Sequence, residues 1–200
     1  MKAPHPIAAA LWLVLILASA ALEYYGRTLQ RIERASDLYW DGNTAASIAA
    51  FEELDAGFSG GMRSRLLPPA DRDLVAHNYL QLLYLQESYD RVIEKSEAYL
   101  LDHVGPAPLV RFWLGNAYYR KALADDGSRG EDRALAWLRR AAAQYQQAVI
   151  DSPVEWDVKY NHELIQSLLR RDNEDQKQDI FEVLRPQDKP GPQPPARRIG

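Results

Sequence analysis

The chain has 200 residues, of which 46% are hydrophobic and 26% charged, with a net charge of −4 and a pI near 5.6. That composition fits one medium-sized domain with appendages and a packed core, and its acidic balance supplies no basic face for nucleic acid. The absence of cysteine excludes disulfides, thiolate nucleophiles and cysteine-rich metal sites, and leaves the redox compartment open.

After a short segment (1–6), the run from Ile7 to Leu22 is apolar except for Ser19. As a helix, Ile7–Tyr25 is roughly 28 Å long, enough for a hydrocarbon core of ~30 Å, and Tyr24 and Tyr25 fall at the far interface. Residues 7–25 are therefore expected to be a transmembrane anchor. A cleaved signal peptide is the alternative, because Ala18-Ser19-Ala20 satisfies the small-x-small rule; a buried core helix is a third reading. The weak basic head (Lys2, with Pro4 and Pro6) and a helical pattern that runs on into Leu29 and Ile32 favour the uncleaved anchor. Arg27, Arg31 and Arg34 follow the span, against Lys2 and the α-amino group before it, a count that favours a cytoplasmic side for the following domain.

Residues 27–170 read as an α-helical domain. Leu29, Ile32, Ala35, Leu38 and Tyr39 form one stripe, Asp41-Gly42-Asn43 a turn, and Thr44 a cap for a helix Ala45–Leu54 that points Ile48, Phe51 and Leu54 inward. Gly57–Pro69 is a loop by composition. Asp71 opens a helix to about Leu85 with Leu74, Tyr79, Leu82 and Leu83 as its apolar set, and a helix after Glu87-Ser88 runs to about Leu101, ended by Gly105-Pro106-Ala107-Pro108. In Arg111–Tyr119 Leu114 and Tyr118 share a face, and Gly115 admits a neighbouring helix backbone. A polar loop, Asp125–Gly130, precedes a long helix, roughly Asp132–Ile150, that carries Tyr145, Ala148 and Val149 inward. Ser152-Pro153-Val154-Glu155 reads as a capping box with proline at the first helical position, opening a last helix through Trp156, Tyr160, Leu164 and Leu168. Residues 171–185 are a charged helical extension. Residues 186–200, with five prolines among polar residues, bury too little to fold and are expected to be a disordered tail.

Nothing in the chain reads as catalytic. His5, His77, His103 and His162 share no short spacing, Asp125, Asp126, Glu131 and Asp132 miss the alternating order of a calcium loop, and neither a phosphate loop nor a nucleophile elbow is present. No metal and no cofactor is expected. The remaining capacity is surface: the repeat-like order of Ala35–Phe51 and Leu114–Pro153 resembles a tetratricopeptide array, and that resemblance implies that polar residues on the first helix of each hairpin are candidate contacts for a bound peptide. These are Asn78, Gln81, Asn116, Tyr119, Arg120 and Asn161, whose amides and guanidinium suit an extended backbone or a carboxylate.

The order Ala35, Leu38, Gly42, Ile48, Phe51 resembles a tetratricopeptide (TPR) repeat. So does Glu87–Ile93, with its glycine and alanine replaced, and the Leu-Gly, Tyr, Tyr, Ala and Pro order from Leu114 to Pro153, which is interrupted by about fourteen extra residues. The resemblance implies an all-α fold: a transmembrane helix, then a short, degenerate array of helical hairpins and a Pro-rich tail. Three further motifs, Phe112–Tyr119, Ala143–Ala148 and Glu155–Leu164, resemble MxaK-like accessory proteins of methanol-oxidation and related MoxR operons over roughly Leu109–Leu169. His162 stands where the family usually has leucine, and Lys159 where it has arginine. This second resemblance implies a non-enzymatic scaffold in a bacterial inner membrane, its helical domain in the periplasm, acting beside an AAA+ ATPase and von Willebrand A-domain proteins in maturing a dehydrogenase. The periplasmic placement runs against the arginine count. A structural subunit of a membrane complex is the first alternative. A small hydrolase is the second, and it requires a titratable cluster in a closed pocket.

Overall fold

The computed structural model describes residues 6–58, 68–124 and 131–173, and these are all-helical, without strands. The seven helices are α1 (Pro6–Trp40), α2 (Thr44–Phe58), α3 (Pro69–Leu85), α4 (Tyr89–Asp102), α5 (Ala107–Ala124), α6 (Glu131–Asp151) and α7 (Trp156–Asn173). Of the loop expected over Gly57–Pro69, Gly57 and Phe58 are the end of α2 and Pro69 the start of α3; residues 59–67, the loop at 125–130, and the extension and tail from residue 174 lie outside the described residues.

α1 is one unbroken helix of 35 residues, about 52 Å at 1.5 Å per residue. Proline at its first position costs nothing, since that N–H has no intrahelical partner. The side chains from Ile7 to Ala20 are all exposed. Burial begins at Thr28, whose hydroxyl donates to the Tyr24 carbonyl (2.9 Å), and continues through Ile32 and Ala35. Leu29, expected inward, is 40% exposed; it sits one position off the Thr28–Ile32–Ala35 stripe. The helix ends at Asp41–Asn43, where Gly42 takes φ +80°, a backbone that glycine adopts without strain. Asn43, not Thr44, caps α2: its carbonyl accepts the Ser47 N–H (3.0 Å) and its side chain the Ala46 N–H (3.2 Å).

The pairing of the helices follows from their contacts. Neighbours run antiparallel: Ala35 of α1 accepts from Ser47 of α2 while Arg31 reaches Glu53, and Glu97 and Asp90 of α4 meet Tyr118 and Lys121 of α5. Alternate helices run parallel. His77 and Tyr84 of α3 face Trp113 and Arg120 of α5, and Glu52 and Asp55 of α2 face Arg91 and Lys95 of α4. The chain is thus a row of helical hairpins, odd-numbered helices along one side and even-numbered along the other. The even side is keyed by a buried carboxylate, Asp55, which accepts from the Tyr99 hydroxyl (2.6 Å) and Lys95 (2.8 Å). Left without those donors it would carry an uncompensated buried charge, so it fixes register more than it adds stability.

Two apolar clusters fill the row. One joins α1 to α5 around Phe51, Tyr79, Leu80, Leu83 and Val92; the other joins α5, α6 and α7 around Leu114, Tyr145, Ile165 and Leu168. α5 serves both, turning Val110 and Ala117 to the first and Leu114 and Tyr118 to the second, so it is apolar on two sides rather than along one stripe. Gly115 is central, but what approaches it is the Tyr145 ring, not a helix backbone. A Cβ built there would lie 2.7 Å from Tyr145 Cε1.

Three more expectations change. Leu74 is 45% exposed, and Val75, Ala76 and Leu80 take the inward positions on α3. Ser152–Glu155 is the turn between α6 and α7, with the Glu155 carbonyl accepting the Lys159 N–H (3.3 Å), so α7 begins after it and Pro153 is not its first residue. Trp156 and Tyr160 point outward, 79% and 67% exposed, while Val158, Ile165 and Leu168 are buried.

Gly115→Ala is expected to cost about 1–3 kcal/mol by overpacking against the fixed Tyr145 ring, read as a lowered denaturation midpoint. Glu87 and His103 hold left-handed turns at φ +58° and +53°. Glu87→Gly and His103→Gly are each expected to raise stability by about 1 kcal/mol, since a side chain in that conformation costs roughly that much; a drop in midpoint contradicts this.

Candidate functional site

The odd-numbered side carries the predicted residues and an aromatic run between them. Asn78 and Gln81 come together on α3, where with Ser36, Tyr39 and Trp40 of α1, Phe51 of α2, and Leu82 they line a cleft of about 180 Å³. Trp40 is 81% exposed and meets Tyr39 edge-on at 5.4 Å. An amide pair beside an open indole can hydrogen-bond a peptide backbone and cover an apolar side chain at once.

The other four predicted residues lie farther along the row. Asn116 is buried, and its Oδ1 accepts from the Tyr145 hydroxyl (2.6 Å) and from Asn161 Nδ2 (3.1 Å). That bond pair ties α5 to α6 and α7, so the Asn116 carbonyl is committed internally. Burial raises Tyr145 far above the ordinary tyrosine value, so the hydroxyl keeps its proton and remains a donor. Tyr119 is half-buried and raised by the same cause. Arg120 is exposed; its Nε donates to the Tyr84 hydroxyl (2.9 Å), and the guanidinium lies 5.8 Å from the Tyr84 ring centroid. The hydrogen bond it donates to Tyr84 raises the Arg120 pKa above its ordinary value.

Sequence reasoning missed the aromatic run between these groups. The Tyr84 ring packs against Trp113 (5.4 Å) and Tyr89 (5.5 Å), and Trp113 against His77 (5.8 Å). Trp113 Nε1 donates to His77 Nδ1 (3.1 Å). The signal was available: His77 and Tyr84, like Trp113 and Arg120, stand seven apart, two turns on one helix face.

A second concavity, about 270 Å³, lies at the turn edge, lined by Pro106, Pro108, Leu109 and Phe112 together with Ser152, Glu155, Asp157 and Val158. Among the described residues, no three of the His, Asp and Glu side chains gather as a metal ion would require. No known protein family, curated protein or solved structure matches the chain.

Burial holds the His77 imidazole below its ordinary value of 6.5, and the bond from Trp113 needs the unprotonated Nδ1. The stability this pair contributes is complete above pH 6.5, where both folded and unfolded imidazoles are neutral. It falls as the pH drops from 6.5 toward the lowered folded value. The denaturation midpoint of the wild type is expected to decline over that window and that of His77→Phe to decline less; parallel curves contradict the assignment.

Proposed function

We propose that the chain is a non-enzymatic scaffold, tethered to a membrane by α1, whose odd-numbered helices hold a segment of a partner protein. The observation that carries this reading is the coincidence on one molecule of two surfaces. α1 has an apolar span, with a mean hydropathy of 2.0 over its most apolar 18 residues and none of them buried. The row's odd-numbered side carries the cleft of Asn78, Gln81 and Trp40, and beyond it Tyr119 and Arg120. Rigid hairpins stacked in a row present such side chains with little ordering cost, which is how helical repeat arrays gain affinity for extended segments.

Short turns, antiparallel neighbours and parallel alternate helices support the tetratricopeptide-like reading. If the MxaK-like resemblance of Phe112–Tyr119 and Glu155–Leu164 holds, the partners are an AAA+ ATPase and von Willebrand A-domain proteins, the membrane is a bacterial inner membrane, and the domain stands on its periplasmic side. The scaffold would then assist maturation of a methanol-dehydrogenase-type enzyme.

The test is affinity purification of the full-length protein from detergent-solubilised membranes, with mass spectrometry of what accompanies it. The expected result is recovery of those partners at variable ratio, reduced several-fold by Asn78→Ala with Gln81→Ala and Arg120→Ala, while helical content by circular dichroism is unchanged. A partner complex recovered at constant ratio and indifferent to those substitutions makes the protein a structural subunit instead.

A further inference from the structure

We infer that the turn edge formed by the α4–α5 and α6–α7 connections is a second membrane-contact surface, seated on the lipid interface of the bilayer that α1 spans. The inference rests on the anchor reading of α1 and adds to it the orientation of the whole row.

The argument starts from register. α1 enters the domain without a break: its burial begins at Thr28, one turn past Tyr24 and Tyr25, and its Ser36, Tyr39 and Trp40 share a cleft with Asn78, Gln81 and Leu82 of α3. α3 runs parallel to α5 through His77–Trp113 and Tyr84–Arg120, and α5 parallel to α7 through Asn116–Asn161. Through these contacts the starts of α3, α5 and α7 lie on the side of the row from which the apolar half of α1 enters. Tyr24 and Tyr25 are the residues that a span over 7–25 leaves at the headgroup layer. The starts of the odd-numbered helices therefore lie on the side of the row that faces that layer. Because neighbours are antiparallel, the ends of α4 and α6 lie there too.

The chemistry of this edge matches its position. Leu101 at the end of α4, Ile150 at the end of α6, Val154 in the following turn and Trp156 opening α7 are 80%, 64%, 79% and 79% exposed. Beside them is the notch whose apolar lining comes from Pro106, Pro108, Leu109, Phe112 and Val158. Large apolar side chains this open to water are costly unless something covers them, and an indole among aliphatic residues is suited to the lipid interface. Two attachments, α1 at one end of the row and this edge at the other, would lay the hairpins along the bilayer and hold the partner-binding side at fixed height. The edge also carries Asp102, Glu155 and Asp157, all exposed. Among its described residues one cation stands against them outside the Arg111–Asp151 pair, Lys159, whose Nζ lies 5.7 Å from the Trp156 ring centroid, so the edge is acidic on balance. Its contact is therefore with zwitterionic lipid and is weakened by anionic lipid.

The chain has no cysteine, so single introduced cysteines report cleanly. Full-length protein in phosphatidylcholine nanodiscs, labelled with a small fluorophore at V14C, L101C, V154C or L85C, is probed with a lipid-borne nitroxide at headgroup depth and with aqueous iodide. The expected result is that V14C, L101C and V154C are shielded from iodide several-fold relative to L85C on the opposite edge, and that L101C and V154C are quenched by the headgroup nitroxide. Adding phosphatidylglycerol, or placing Val154→Ser with Trp156→Ser in the L101C background, should return L101C toward the L85C value. If V14C is shielded while L101C and V154C quench in iodide like L85C, the anchor stands and the docked edge is wrong. If V14C is itself open to iodide, the anchor fails and the docked edge with it. Shielding that appears only when other membrane proteins are reconstituted overturns the lipid contact in favour of a protein interface.

Discussion

α1 is one helix with two different surroundings, and its first half is long and apolar enough to cross a membrane. Its first half carries apolar side chains with no protein around them, and from Thr28 onward the same helix is built into the domain core through Ile32 and Ala35. No linker separates the halves, so the direction of the span is also the direction of the first hairpin, and through it of every helix stacked behind. The weakest point is Gly26, where an added Cβ would meet nothing and where glycine lowers helix propensity by about 1 kcal/mol relative to alanine. Backbone hydrogen bonding across Leu22–Arg31 is what carries orientation from the apolar span to the row.

Beyond that helix, a few polar contacts select one packing among several that a set of Leu-, Ala- and Tyr-rich helices would allow. Asp55 binds α4 to α2, and Asn116 binds α6 and α7 to α5. Both are buried, so any slip in register leaves an unmet carbonyl or carboxylate in a medium of low dielectric. Gly115 works from the other side: it leaves the space into which the Tyr145 ring fits, and the fitted ring brings its hydroxyl to Asn116. Apolar periodicity builds the helices, and these groups decide how they stack.

That division explains what was legible beforehand. Helix positions, the Gly42 and Gly105 turns and the inward Ile48, Phe51 and Leu54 followed from spacing alone, because such signals are local. The outward Trp156 and Tyr160 did not. They share an apolar period with Leu164 and Leu168, and only the burial of Val158 and Ile165 shows which stripe faces α6. Thr44 and Asn43 are both good caps, and the choice between them depends on where the preceding turn closes. Among the candidate site residues, Asn78 and Gln81 fall together on a cleft, whereas Asn116 and Asn161 bond to one another. Type and helical phase were readable; a partner 45 residues away was not. The aromatic run from Tyr84 to Trp113 and His77 was missed for the same reason.

The rigid coupling of span to domain is open to one measurement: amide hydrogen exchange through residues 20–36 of the full-length protein in lipid nanodiscs. An unbroken α1 that is both anchor and core helix predicts slow exchange across the whole stretch, with Gly26 and Arg27 protected like their neighbours. Fast exchange at Tyr24–Thr28 between two protected segments would contradict it, leaving the hairpin row free to swing on its anchor and its height and orientation above the membrane unset.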